Sequence, residues 1–275
     1  MAQEIVGTLW DLIEPFVVVQ QPPRPPPQVT HNFWPSLRDA LLNGPHRLNN
    51  LNLKCDICMD RMSVFDHEHV QHHVEKNMHH GARVLPCGHM FGTRCISRVI
   101  VECRNSHIPM SCPMCRTPFV DHPHCLHGHS GMPMPNTIED IANFPRTLAE
   151  GGKIADKCGD CQVVDAVIGL SRLAPILHPP IDLGIMEVIG VSASKPGGHS
   201  WSLEPGQGML NLIVEDLSLE EGTFQNICDE TAEILSENTL RNWTSVDLRG
   251  LEFHVHVYER VLPGQGPHAM ETEEQ

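Results

Sequence analysis

The strings CDIC at 55–58, LPCGHMFGTRCI at 85–96 and SCPMCRTPF at 111–119 decide how this chain folds. Cysteine and histidine recur there in pairs separated by one or two residues. A C-x-x-C turn presents two thiolates to one ion at small backbone cost, and zinc takes four such donors in a tetrahedron. One cysteine pair is weak evidence. Two C-x-x-C turns bracketing a C-x-H and a further cysteine supply donors for two ions. The chain's 11 cysteines, placed in such pairs among histidines, read as metal ligands rather than disulfides. That reading implies a reducing compartment, cytoplasmic or nuclear.

In this order the residues resemble the RING zinc-finger family, across residues 54–119. The resemblance implies an α+β fold class: a small two-zinc cross-brace RING domain, a C-terminal α+β region and irregular Pro/His-rich linkers. In that family the ligand pairs interleave, so Cys87, His89, Cys112 and Cys115 would form one site. Cys55, Cys58 and Cys95 would supply three ligands of the other. RING fingers usually read C-G-H-x-F-C, and here Gly92 stands where the cysteine would be. Some variants with C-G-H-x-F-G carry a histidine seven residues before the C-G-H cysteine, the place held here by His80. His80 is therefore the expected fourth ligand and His79 the runner-up, among the histidines 67, 69, 72, 73, 79 and 80 of the insertion. The plainer reading is that most of these merely decorate a solvated loop.

The activity implied is that of an E3 ubiquitin ligase, with E2 and ubiquitin as partners and no covalent intermediate on this chain. Ile57 and Pro113 match the family's hydrophobic E2-contact positions, and Val99 stands where the family often has Trp. Arg116, directly after the last ligand, matches the cation that hydrogen-bonds E2 and ubiquitin together. Taken singly, these residues also fit ordinary core packing and a solvated charge. The alternative is a non-catalytic zinc-binding interaction module, which Gly92 and Val99 favour.

The formal charge of −15 argues against a nucleic-acid grip, which needs clustered Lys and Arg. No Lys or Arg occurs from Pro196 to Leu240, whereas eight lie between Lys54 and Arg116. No apolar run is long enough to span a membrane, and Glu14 and Pro15 interrupt an N-terminal stretch with no basic start, so neither a span nor a secretory signal is expected. Residues 4–19 have the spacing of a short amphipathic helix, and PPRPPPQ at 22–28 that of a polyproline II linker. A brief helix is expected over Phe33–Leu42, another from Asn136 or Thr137, and a third over Val163–Leu173. Strands are expected at 209–217 and 251–261, with a helix over Thr223–Ser236 between them.

These elements divide the chain into an N-terminal segment (1–50), the RING-like unit (51–120), a His/Pro-rich connector (121–180) and a C-terminal α+β region (181–275). No internal repeat stands out. Cys158-Gly-Asp-Cys161 has the chemistry to join Cys125 and His127, or His122, His124 and His129, in a third zinc site. The separation is long, and two free thiols beside a turn is the stronger reading. No Ser/His/Asp arrangement is visible. Cys103 and Cys228 read as buried residues.

Overall fold

The computed structural model describes residues 32–65, 68, 80–177, 181–195, 199–202, 210–217 and 222–261. The expected helix at 4–19, the proline-rich segment at 22–28 and the runner-up ligand His79 lie outside them.

Two hydrophobic cores organise the chain. The first gathers around the cysteine-rich strings. Helix α1 (Trp34–Leu42) contributes Trp34, Leu37 and Leu41, spaced so that one face is buried. Pro35 sits in its first turn, where no N–H is needed. Strands β1 (Ala82–Val84) and β2 (Met90–Gly92) form a hairpin around the C-G-H turn, and β3 (Met132–Pro133) adds to the far side of β1. Helix α2 (Thr93–Asn105) follows β2 directly and buries Cys95 and Ile96. Helix α3 (Ile138–Asn143) packs on α1, and the Thr137 hydroxyl accepts the Asp140 N–H at 3.1 Å as its N-cap.

The second core is a sheet covered by two helices. Helix α4 (Gly159–Leu177) lays Val163, Val167, Leu170 and Ala174 on the sheet. The sheet is antiparallel throughout, in the order β5 (His199–Trp201), β4 (Glu187–Lys195), β7 (Glu252–Val261), β6 (Leu210–Leu217). Along β4, Ile189, Val191 and Ala193 alternate into the core, the two-residue period of a half-covered strand. Helix α5 (Thr223–Arg241) buries Phe224, Cys228 and Leu235. β4 and β5 add to the strands expected at 209–217 and 251–261; β4 is a weak signal in sequence because glycine and serine fill its alternate positions.

The two cores are stitched together. After α5 the chain returns to the first core, where Trp243 is fully buried between Phe144 and His129, with both contacts edge-on. Its indole N–H donates to the Arg146 carbonyl at 2.7 Å. The Arg83 guanidinium on β1 reaches the carbonyls of Ser130, Gly131 and Ser245 at 3.2, 2.6 and 2.8 Å. Loss of water around it pushes its pKa down to about 10, and it remains charged at neutral pH.

Candidate metal centres

Three groups of four donor side chains converge, each with its ligand atoms within 4.8 Å of one another. They are Cys55, Cys58, His80 and Cys95; Cys87, His89, Cys112 and Cys115; and Cys125, His127, Cys158 and Cys161. Each set is three thiols and one imidazole. For comparison, a zinc tetrahedron with Zn–S near 2.3 Å has edges of about 3.8 Å, so all three sets fit the ion.

The first two sets interleave along the chain. Cys55 and Cys58 come from a turn after Leu53, Cys87 and His89 from the β1–β2 hairpin, Cys95 from the first turn of α2, and Cys112 and Cys115 from a turn beyond it. His80 joins the first set, its Nε2 lying 3.2 Å from the Cys58 sulfur. A β-carbon added at Gly92 would fall 1.9 Å from the His80 ring. Gly92 and His80 are thus one feature, since the imidazole occupies the space that a side chain at 92 would need. Nδ1 of His80 is buried and has no hydrogen-bond partner among the described residues.

Thiol pKa values within each set are driven apart. Burial raises Cys55, but hydrogen bonds from His80 and from the N–H groups of Gly92, Ile57 and Cys58 outweigh it and bring it down to about 6. Burial and the neighbouring thiols push Cys95 up to about 12. In the second set a hydrogen bond from Cys87 brings Cys112 down to about 5, while Cys87 itself rises. In the third, burial followed by the adjacent thiols takes Cys158 up to about 12. Three thiolates packed this closely repel one another, and a divalent cation is what lets all of them ionise together.

The third set brings Cys158 and Cys161 together with Cys125 and His127, the candidate partners named from the sequence. Cys158 and Cys161 flank the start of α4, with His127 Nδ1 lying 3.3 Å from each sulfur and Cys125 Sγ accepting the Cys158 N–H at 3.3 Å. His122, His124 and His129 stand outside this set. His124 is exposed. His122 is fully buried, donating from Nδ1 to the Ala155 carbonyl at 2.8 Å and accepting at Nε2 from the Ser245 hydroxyl at 2.9 Å. His129 accepts the Gly131 N–H at 2.9 Å, and burial holds its pKa well below the ordinary range.

Comparison with protein-family models, curated proteins and solved structures returns no match.

The residues expected to meet a partner sit at the surface to differing degrees. Ile57 is 42% exposed, Pro113 and Arg116 are exposed, and Val99 is half-buried on α2. Cys103 is half-buried and Cys228 buried, and neither joins a donor set. Among the described residues no helix is long and apolar enough to cross a membrane.

A Ser/His/Asp row, not visible in the sequence, forms on the outer face of the second sheet. Ser192 Oγ lies 2.6 Å from His256 Nε2, and His256 Nδ1 lies 2.6 Å from Asp216. The neighbouring pair Ser194–His254, at 2.7 Å, repeats the first half of the row without an acid. His256 is 8% exposed and the partners come from adjacent strands, so the row is cross-strand pairing of polar side chains.

Proposed function

We propose that the chain is a RING-type E3 ubiquitin ligase, with zinc at the two interleaved sets forming a cross-brace. Two complete four-donor sets drawn from alternating segments carry this reading, with Ile57 and Pro113 turned outward from the tips of their turns. Cys55, Cys58, His80 and Cys95 would hold one ion, and Cys87, His89, Cys112 and Cys115 the other. Zinc supplies structure here, since four protein donors leave no position for an activated water.

Ile57, Pro113 and Val99 form the apolar contact for a ubiquitin-charged E2 in this reading. Arg116 follows the last ligand, at φ 58° in the turn that closes between Ser111 and Pro118. Its guanidinium offers several donors to carbonyl-rich surfaces of E2 and ubiquitin. The chemistry belongs to the bound pair: the substrate lysine amine attacks the thioester carbonyl, an amide forms and the E2 cysteine thiolate leaves. This chain contributes orientation, which restricts a flexible conjugate to reactive geometries.

The test is autoubiquitination by the full chain across a panel of E2 enzymes. Ubiquitin chains are expected, with Ile57→Ala and Arg116→Ala each lowering the rate by about tenfold, the scale of one interface contact worth about 1.4 kcal/mol, at unchanged zinc content. No ubiquitin transfer and no E2 binding across the panel would overturn the ligase reading. The second reading, a zinc-stabilised interaction module without ligase activity, is favoured by Val99, which offers a small, half-buried contact where the family often presents an indole.

A further inference from the structure

One eight-residue turn occurs three times in this structure. Residues 54–61 (KCDICMDR), 111–118 (SCPMCRTP) and 121–128 (DHPHCLHG) each close with a bridge between their first and last residues. In each, the fifth residue after that start has positive φ: Met59 at 64°, Arg116 at 58° and Leu126 at 56°. The same backbone bonds recur: Met59 N–H to Cys55 O, Arg116 N–H to Cys112 O and Leu126 N–H to His122 O, at 2.8, 2.9 and 2.8 Å. A second set runs from Cys55, Cys112 and His122 to Asp60, Thr117 and His127 at 2.9, 2.9 and 3.0 Å. A third runs from Met62, Phe119 and His129 back to Leu53, Met110 and Val120, at 2.8, 2.9 and 3.2 Å. The first two turns each present two thiols to a donor set. The third has the same backbone with its ligand positions altered: His122, where the others have cysteine, is turned inward to Ala155 and Ser245, and His127 takes over beside Cys125.

We propose that this third turn is a metal knuckle and that Cys125, His127, Cys158 and Cys161 bind a third, structural zinc ion. The opposite two donors come from the start of α4, where the helix dipole favours thiolates. The neighbouring backbone is already docked for this: the His124 N–H donates to Asp156 O at 2.8 Å, and the Gly159 N–H to Thr244 O at 2.7 Å. Gly159 permits that approach, since a β-carbon there would lie 2.8 Å from the Val246 side chain. The ion therefore clamps the helix that supports the second sheet to a turn continuous with the first core. Two cores already joined through Trp243, Arg83, His122 and the Asp140–Arg249 ion pair gain a metal tie between them. The inference does not depend on ligase activity, and its test involves no ubiquitin.

The full chain, purified without chelator, is expected to carry three zinc ions by native mass spectrometry, and Cys158→Ser/Cys161→Ser two. His127→Cys keeps four donors and is expected to retain three. Should the serine variant fail to fold, alkylation of the unaltered protein gives the same answer. Cys125, Cys158 and Cys161 are expected to be protected like the other six donor-set cysteines and to react once a chelator is added. Two zinc ions in the unaltered chain, a Cys158–Cys161 disulfide, or alkylation of these three cysteines at the same rate with and without chelator would overturn the proposal.

Discussion

Gly92→Ala probes the link between the missing cysteine and the arriving histidine. The backbone at 92 is ordinary, with φ −69° and ψ 139°, so alanine meets no conformational barrier. The obstacle is spatial. The new β-carbon would lie 1.9, 2.3 and 2.4 Å from Cε1, Nε2 and Nδ1 of His80, against ordinary contacts of 3.4 Å or more. The ring must retreat by about 1.5 Å, whereas metal–ligand distances hold to within about 0.2 Å. Disturbing a residue that merely supports a ligand costs 10- to 100-fold in metal affinity, so displacing the ligand itself is expected to cost about 100-fold or more, some 2.8 kcal/mol. Competitive zinc titration against a chromogenic chelator measures this, with one site weakened and the others unchanged. His80→Ala/Gly92→Cys returns a thiolate donor to the vacated space and is expected to recover most of the lost affinity. Unaltered affinity at every site in Gly92→Ala, or a double variant no tighter than the single one, would refute the coupling of the two positions.

Three further outcomes follow from the packing. Arg83→Met leaves the carbonyls of Ser130, Gly131 and Ser245 without their donor and is expected to lower stability by about 2–4 kcal/mol in denaturant unfolding, provided the transition stays cooperative. Trp243→Ala empties a fully buried site and strands the Arg146 carbonyl, with an expected loss of about 3–5 kcal/mol, read as a fall in midpoint. Burial raises the Asp247 pKa, but the hydrogen bond and charge of Arg249 with the charge of Lys195 outweigh it, and the net shift is downward. A carboxylate depressed on folding contributes stability that is complete above its unfolded pKa, near 4, and fades as pH falls through the lower folded value. Asp247→Asn is therefore expected to be destabilising at pH 7, with the difference shrinking below about pH 4 in thermal melts.

The parts of the molecule legible in the sequence are those where one residue type has one physical use. Two C-x-x-C turns and a C-x-H mark donors directly, and the resemblance to C-G-H-x-F-G variants singles out His80, which the structure brings beside Cys55, Cys58 and Cys95 and against Gly92. Helices α1, α3 and α5 follow from apolar spacing and from the stops and caps around them. The third donor set was legible only as the weaker reading, because its turn lacks the marker that identifies the other two. His122 stands in the first ligand place and spends both ring nitrogens on Ala155 and Ser245, so the surviving pair, C-x-H, no longer reads as a knuckle. Its partners lie beyond a connector whose path depends on β3 and α3 packing into the first core. Trp243 likewise belongs to a core whose other members end at Phe144, a return across the chain that no local pattern encodes. What the sequence concealed is therefore one kind of information, the long-range docking of the two cores. Trp243, Arg83, His122 and the third donor set all lie on that seam, so each of them ties the C-terminal sheet to the cysteine-rich unit.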